Sequence, residues 1–235
     1  MSVASVASRA LAGIDAPEVT VEVHLGPGLP AFHIVGLPDT EVREARDRVR
    51  AALNHARFEF PARRITVNLA PAELPKDSSR FDLPIALGIL AASGQLSPDS
   101  LAGQEFAGEL SLTGELRAVR GALAMALSAR AAGRIFVLPE GNAPQAALAE
   151  GARILPARTL LEVVAHLADE ARLAEYSGGT EVSAEIRRSR RGSRNTSEDS
   201  YQPGCAVRSS HGRSAHGRSL NRSAAFAGRR RRRRY

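Results

Sequence analysis

Short apolar runs of strand-like and helix-like period alternate along the first 170 or so residues of this chain. Val19, Val21, Val23 and Leu25 are separated by polar residues, which is the period-2 pattern of a half-buried strand. The run 31–35 follows a Gly-Pro-Gly turn, and we expect it to return beside that strand. Further strands are predicted at 65–69, 135–138 and 153–155, a hairpin at 106–119, and helices near 39–53, 82–93, 122–132, 144–149 and 160–167. Strands and helices that interleave in this way predict an α/β domain with a mixed sheet.

The composition changes near residue 170. Residues 1–170 carry 16 basic and 20 acidic side chains, whereas residues 171–235 carry 16 basic and only 5 acidic ones, so the high overall pI of 10.7 comes from the tail. Ser, Arg and Gly dominate the tail, and apolar residues are too rare there to offset the entropy of ordering the chain. We therefore expect a folded domain over 1–170 and a basic tail over 171–235, disordered from about 177.

Several classes of protein are excluded by composition. No apolar run approaches the length of a membrane-spanning helix, and the first residues lack the pattern of a secretory signal. The single cysteine, Cys205, excludes a disulfide scaffold, and the histidines form no zinc-binding spacing. We expect a cytoplasmic protein that holds no metal in this chain.

The most distinctive stretch runs from Arg57 to Gly94 and contains Pro75-Lys-Asp-Ser-Ser-Arg-Phe-Asp82. Two further motifs accompany it, Leu29-Pro-Ala-Phe-His-Ile-Val-Gly-Leu-Pro-Asp39 and Gly108-Glu-Leu-Ser-Leu-Thr-Gly-Glu-Leu-Arg-Ala-Val-Arg-Gly121. Together they resemble the N-terminal domain of the magnesium-chelatase-like AAA+ ATPases, the family that includes competence protein ComM. The resemblance covers roughly residues 1–170, and the tail has no counterpart in it.

This resemblance implies a fold like domain 2 of ribosomal protein S5, which the proteolytic domain of Lon-type proteases shares. It also implies that intact members form homo-oligomers, hexamers that use ATP and Mg to translocate DNA in branch migration and recombination. ATP binding of that kind needs a Gly-x-x-x-x-Gly-Lys-Ser/Thr loop. Lys76 is the only lysine in the chain and has no glycine around it, so the resemblance describes a chain without the ATPase motor.

The resemblance to Lon proteases raises the question of a Ser-Lys dyad. Arg80 stands at the position of the protease's nucleophile, and the position of its lysine falls near Leu123. A guanidinium stays protonated and cannot attack a carbonyl, and a serine needs an adjacent base to become a useful nucleophile. The pattern therefore argues against proteolysis, which remains a remote alternative.

Four basic residues flank the distinctive loop and are candidate contacts for nucleic acid or a protein partner: Arg63, Arg64, Lys76 and Arg80. The alternative is ion pairing with Asp77, Asp82 or Glu73, which the net negative charge of 1–170 favours slightly. Within the loop we expect Phe81 and Leu83 to point inward and Asp82 to cap the following helix. Lys76 and Arg80 are then expected to face solvent or Asp77.

Just before its last residue, the tail carries six consecutive arginines that could bind phosphate backbones without sequence preference: Arg229, Arg230, Arg231, Arg232, Arg233 and Arg234. A non-enzymatic nucleic-acid-binding module is therefore the alternative to a DNA-translocase fragment. A shifted reading frame in GC-rich DNA would also produce a segment rich in Arg, Ala, Gly and Ser, and we favour that origin for the tail.

Overall fold

The computed structural model describes residues 2–177, which build one seven-stranded sheet with helices on both faces. The strands are β1 Ser2–Arg9, β2 Glu18–Gly26, β3 Ala31–Val35, β4 Arg64–Ala70, β5 Gln104–Phe106, β6 Glu109–Leu110, β7 Leu116–Arg117, β8 Ile135–Pro139 and β9 Ile154–Ala157. The α-helices are α1 Thr40–Arg43, α2 Ala45–His55, α3 Asp82–Ala92, α4 Ala122–Ala131, α5 Ala143–Ala146 and α6 Leu160–Leu167. Short 3₁₀ turns span Ser79–Phe81, Pro98–Leu101 and Glu140–Asn142.

The strand order in the large sheet is β3-β4-β2-β1-β5-β8-β9. The pairs β1–β2 and β2–β4 are antiparallel, and the other four neighbouring pairs are parallel. β6 and β7 form a separate antiparallel hairpin. The prediction of an α/β domain with a mixed sheet is therefore confirmed.

Two details of the sheet differ from the sequence prediction. β3 does not return beside β2, because β4 lies between them and pairs in parallel with β3. The predicted hairpin at 106–119 is only partly right, since Phe106 belongs to the large sheet and just residues 109–110 and 116–117 pair. β1 was missed altogether: its Ser/Ala/Val sequence has weak polar contrast, yet it pairs with both β2 and β5.

The centre of the fold is α3, in which every residue from Asp82 to Ala92 is buried. The helix lies against β1 and β2, and an ideal Cβ on Gly88 would come within 2.5 Å of the Val23 Cγ2 atom. This close approach requires glycine at position 88. α2 and α6 share the apolar core of α3, while α4 and α5 pack into a second core against Phe136 and Leu138 of β8.

Most predicted helices form at the expected places. The first predicted helix is divided into α1 and α2 at Glu44, and its buried apolar residues are Val42, Ala45, Val49, Ala52 and Leu53. Contacts with the domain continue past residue 170, because the Tyr176 backbone N–H donates to the Ile154 carbonyl over 2.8 Å.

Within residues 2–177, no helix is both long enough and apolar enough to cross a bilayer. The predicted disorder of the tail lies outside the described residues.

Candidate functional site

The loop that carries the distinctive motif joins β4 to α3 and is held against the segment before α1. The Asp39 backbone N–H donates to the Lys76 carbonyl over 3.0 Å, and the Lys76 N–H donates to the Leu37 carbonyl over 3.3 Å. The Asp39 carboxylate adds a second connection, because it accepts from the N–H of Val42 at 2.8 Å and from that of Ser78 at 3.3 Å. One side chain thus caps α1 and fixes the loop, as expected of an aspartate at an N-cap.

Lys76 and Arg80 lie in the interior, each with 1% of its surface exposed. The expectation that they face solvent is wrong, and the predicted contact with Asp77 is confirmed by a 3.5 Å ion pair from Arg80. Lys76 Nζ donates to the Pro71 carbonyl, and Arg80 Nε donates to the Ser78 hydroxyl over 3.0 Å. Within the described residues, Nη1 of Arg80 has no hydrogen-bond partner.

Burial shifts the pKa of both cations downward. Desolvation lowers the pKa of Lys76 against the opposing attraction of Glu73. Desolvation likewise lowers the pKa of Arg80, and the negative charges of Asp77 and Asp39 oppose that shift. Both side chains are buried and hydrogen-bonded within the loop itself.

Asp82 does not cap α3 through its side chain, which corrects the prediction made from the sequence. It is the first helical residue, and its fully buried carboxylate accepts two hydrogen bonds from Arg48 of α2, at 2.6 and 3.0 Å. The backbone N–H of Leu110 donates to it over 3.2 Å. Phe81 and Leu83 are buried as predicted. The carboxylate therefore joins α2, α3 and the β6–β7 hairpin.

The Arg48–Asp82 pair combines opposing effects on pKa. Burial raises the pKa of Asp82 from 3.8 to about 6, although the hydrogen bond and charge of Arg48 act in the other direction. The hydrogen bond to Asp82 raises the pKa of Arg48, so the guanidinium keeps its charge. Arg48 also lies 3.6 Å from the carboxylate of Glu44, its i,i+4 neighbour, but its main partner lies 34 positions away.

A polar cavity of about 330 Å³ opens over this loop. Its lining brings the loop together with the segments before α1 and before α4: Leu11, Asp39, Glu41, Asp77, Ser78, Ser79, Arg80, Glu109, Ala118, Val119 and Arg120. The Ser79 hydroxyl donates to the carboxylate of Glu109, and no lysine lies among these residues. Neither serine of the loop is paired with a basic nitrogen of Lys76, so the described residues do not assemble a Ser-Lys dyad here. Leu123 lies on α4 and packs, partly buried, against the second core.

The other candidate residues are spread over the fold. Arg63 and Arg64 are exposed at the start of β4. They lie apart from the polar cavity, whose lining includes neither of them. The six terminal arginines lie outside the described residues. Within residues 2–177, no group of three or more His, Cys, Asp or Glu side chains is arranged to hold a metal ion.

The comparisons with known proteins decide the family. A model described as "Subunit ChlI of Mg-chelatase" matches residues 21–142, which is more than half of the chain and includes the whole loop. This chain belongs to the magnesium-chelatase-like ComM family. It is 52% identical over 173 residues to Competence protein ComM of Haemophilus influenzae, which covers 74% of this chain and 34% of that relative.

Two further relatives agree with that assignment. The chain is 52% identical over 148 residues to the uncharacterized protein YifB of Salmonella typhimurium, covering 63% of this chain and 29% of the relative. It is 48% identical over 167 residues to YifB of Escherichia coli, covering 71% of this chain and 33% of the relative. The chain thus spans about one third of the length of these relatives.

Proposed function

We propose that residues 2–177 form the N-terminal domain of a ComM-type protein that takes part in DNA recombination by contributing assembly and DNA contacts. The observation that carries this proposal is the 52% identity with Competence protein ComM over 173 residues. The resemblance to domain 2 of ribosomal protein S5 and to the Lon proteolytic domain belongs to the same proposal. We expect the protein to act in the cytoplasm, where recombining DNA is found.

ATP hydrolysis is assigned to a different module. The 235 residues contain no Gly-x-x-x-x-Gly-Lys-Ser/Thr loop, and the one lysine donates to a backbone carbonyl inside the domain. ATP and Mg are therefore expected to bind to a family member's ATPase module, and not to the polar cavity of this domain. In a hexamer, residues 2–177 would supply assembly contacts, and the ATPase module would supply the motor.

Interference with an active relative tests the proposal. The chain is added to full-length ComM of Haemophilus influenzae, and ATP-driven branch migration of a synthetic four-way DNA junction is measured. If the N-terminal domains assemble with one another, the chain should slow the reaction at stoichiometric amounts and elute together with the relative in size-exclusion chromatography. Unchanged branch migration together with separate elution would refute the proposal.

The basic tail supports a second candidate function, a nucleic-acid-binding module that coats DNA. Residues 171–235 carry 16 basic and 5 acidic side chains, and binding through them should fall steeply with salt because counterions are released. A chain ending at residue 177 keeps the Tyr176 contact with β9 and separates the two candidates. If the shortened chain still inhibits branch migration, the result supports assembly. If only the isolated tail inhibits it, the result supports coating of the DNA.

A further inference from the structure

The positive charge of the folded domain is concentrated in one stretch of sequence. Residues 43–64 contain seven arginines and three acidic residues, although residues 1–170 as a whole carry more acidic than basic side chains. One of the seven, Arg48, is bound to Asp82 inside the fold. The other six are exposed. Exposed arginines that gather on one face of an otherwise acidic domain are typical of a site for a polyanion.

Three of these arginines line one groove beside the edge strand β3. This arginine groove has a volume of about 230 Å³ and is formed by Pro30, Ala31, Phe32, Arg46, Arg50, Phe60, Pro61, Ala62 and Arg63. Acidic side chains are absent from this lining. Among the described residues, Arg50 and Arg63 make no salt bridge, and Arg46 has only a 3.9 Å contact with its exposed neighbour Asp47. The groove therefore presents three cations whose charge is not neutralised by a buried carboxylate.

Flat side chains accompany the charges. The rings of Phe32 and Phe60 are stacked with their centroids 6.3 Å apart and their planes 24° from parallel. The guanidinium carbon of Arg50 lies over the Phe60 ring, 5.4 Å from its centroid. Arg50 is exposed, and a planar guanidinium held beside an aromatic ring can also stack on a further flat group.

We propose that the arginine groove binds single-stranded nucleic acid, with one base stacked on Arg50 and neighbouring phosphates held by Arg46 and Arg63. A single strand offers both a free base face and closely spaced phosphates, whereas the bases of a duplex are already stacked on one another. An acidic peptide would satisfy the charges but would leave the stack of Phe32, Phe60 and Arg50 without a matching flat group. The choice of DNA as the probe rests on the function proposed above.

The test uses the full chain and a fluorescently labelled single-stranded DNA of about 12 nucleotides, a length within the range that single-strand-binding sites cover. Arg50→Lys keeps the charge and removes the stacking plane, so we expect about tenfold weaker binding with an unchanged salt dependence. The slope of log K against log salt is negative, and Arg63→Ala should reduce its magnitude by about 0.7, the value for one phosphate contact to a single strand. Arg153→Ala is the matched control, since it removes an exposed arginine next to β9 at the opposite edge of the sheet.

Binding by the tail is separated by locating the contact. Photo-crosslinking of bromodeoxyuridine-substituted DNA to the full chain, followed by peptide mapping, should label segments that line the arginine groove. Crosslinks confined to residues 171–235 would overturn the proposal, as would an Arg50→Lys variant that binds like the Arg153→Ala control. The proposal would also be overturned if Arg50→Lys weakened single-strand and duplex binding equally. It would likewise be overturned if polyglutamate displaced the labelled DNA as effectively as unlabelled DNA of equal charge.

These outcomes are distinct from failure of the proposed function. A chain that binds single strands through the groove but does not slow branch migration or assemble with ComM would refute only the proposed function. A chain that assembles and slows the reaction, with Arg50→Lys binding DNA like the parent, would refute only the role of the groove. Circular dichroism of each variant confirms that the fold is kept.

Discussion

Replacement of Asp82 by asparagine tests whether burial or ion pairing controls the charge at the centre of this fold. The Asp82 side chain has no exposed surface, and its partner Arg48 is 18% exposed. Arg48 and the Leu110 N–H together donate three hydrogen bonds to the carboxylate, of 2.6 to 3.2 Å. Even so, burial raises the Asp82 pKa to about 6. Asparagine keeps the size and an acceptor oxygen but cannot titrate.

The sign of the pH effect follows from that pKa. The folded state holds the Asp82 proton up to about pH 6, whereas the unfolded chain loses it near 3.8. Between these values the folded state binds more protons, so the contribution of Asp82 to stability is full below 3.8 and is lost as pH rises through 6. The interval corresponds to about 3 kcal/mol in the free energy of unfolding.

The measurement is urea unfolding of the parent and of Asp82→Asn, followed by circular dichroism from pH 3.5 to 8. We expect the stability of the parent relative to the variant to fall by about 3 kcal/mol as pH rises over this range. The exposed Asp169 is a control of opposite sign, because the hydrogen bond from Arg172 lowers its pKa. Its contribution to stability should therefore grow as pH rises. A flat difference between parent and Asp82→Asn, or one that grows with pH, would show that Arg48 outweighs burial and would refute this reasoning.

Substitutions at three further sites, Glu105, Arg80 and Gly88, test other parts of the fold by thermal or urea unfolding. Glu105→Gln breaks a buried pair in which Arg9 donates at 2.6 and 2.7 Å, and should lower the free energy of unfolding by about 3–5 kcal/mol. Its control, Glu175→Gln, removes the exposed pair with Arg153 and should lower that free energy by under about 1 kcal/mol. Arg80→Ala should lower the free energy of unfolding by about 2–4 kcal/mol through lost packing. Arg80→Met should lower it much less, because methionine fills the space and removes a nitrogen that has no partner among the described residues. Gly88→Ala should cost about 1–3 kcal/mol because its Cβ meets Val23, and a variant as stable as the parent would contradict the close packing of α3 on β2.

The sequence predicted the elements with strong periodicity better than their arrangement. α2, α4 and α6 form near the expected residues because each shows an apolar face or a glycine stop that depends on local sequence. The place of β3 could not be found in this way, because a turn motif does not tell whether the next strand pairs with its predecessor or with one that comes 29 residues later. Pairing partners far apart in sequence are decided by packing.

The same limit applies to the loop before α3. A sequence of Lys, Asp, Ser, Ser and Arg favours an exposed loop, yet Lys76 and Arg80 are buried. Their burial depends on acceptors that other segments or the loop backbone supply, such as the Pro71 carbonyl and the Ser78 hydroxyl. Asp82 matched the residue preference of a helix cap, but Arg48 lies within its reach only after α2 packs on α3. The composition of a loop does not contain this information.

The arginines of α2 show where a local rule still separates structural from exposed charges. Each residue turns a helix by about 100°, so Arg46 and Arg50 share one face while Arg48 lies across the buried stripe from them. The stripe itself is Ala45, Val49, Ala52 and Leu53. Arg48 borders it on the side of Ala45 and Ala52, where Asp82 of α3 is reached. Arg46 and Arg50 border its other side, beside Val49 and Leu53, and line the arginine groove. The periodicity that builds the core thus also divides the cations of one helix between the interior and a surface free to bind a partner.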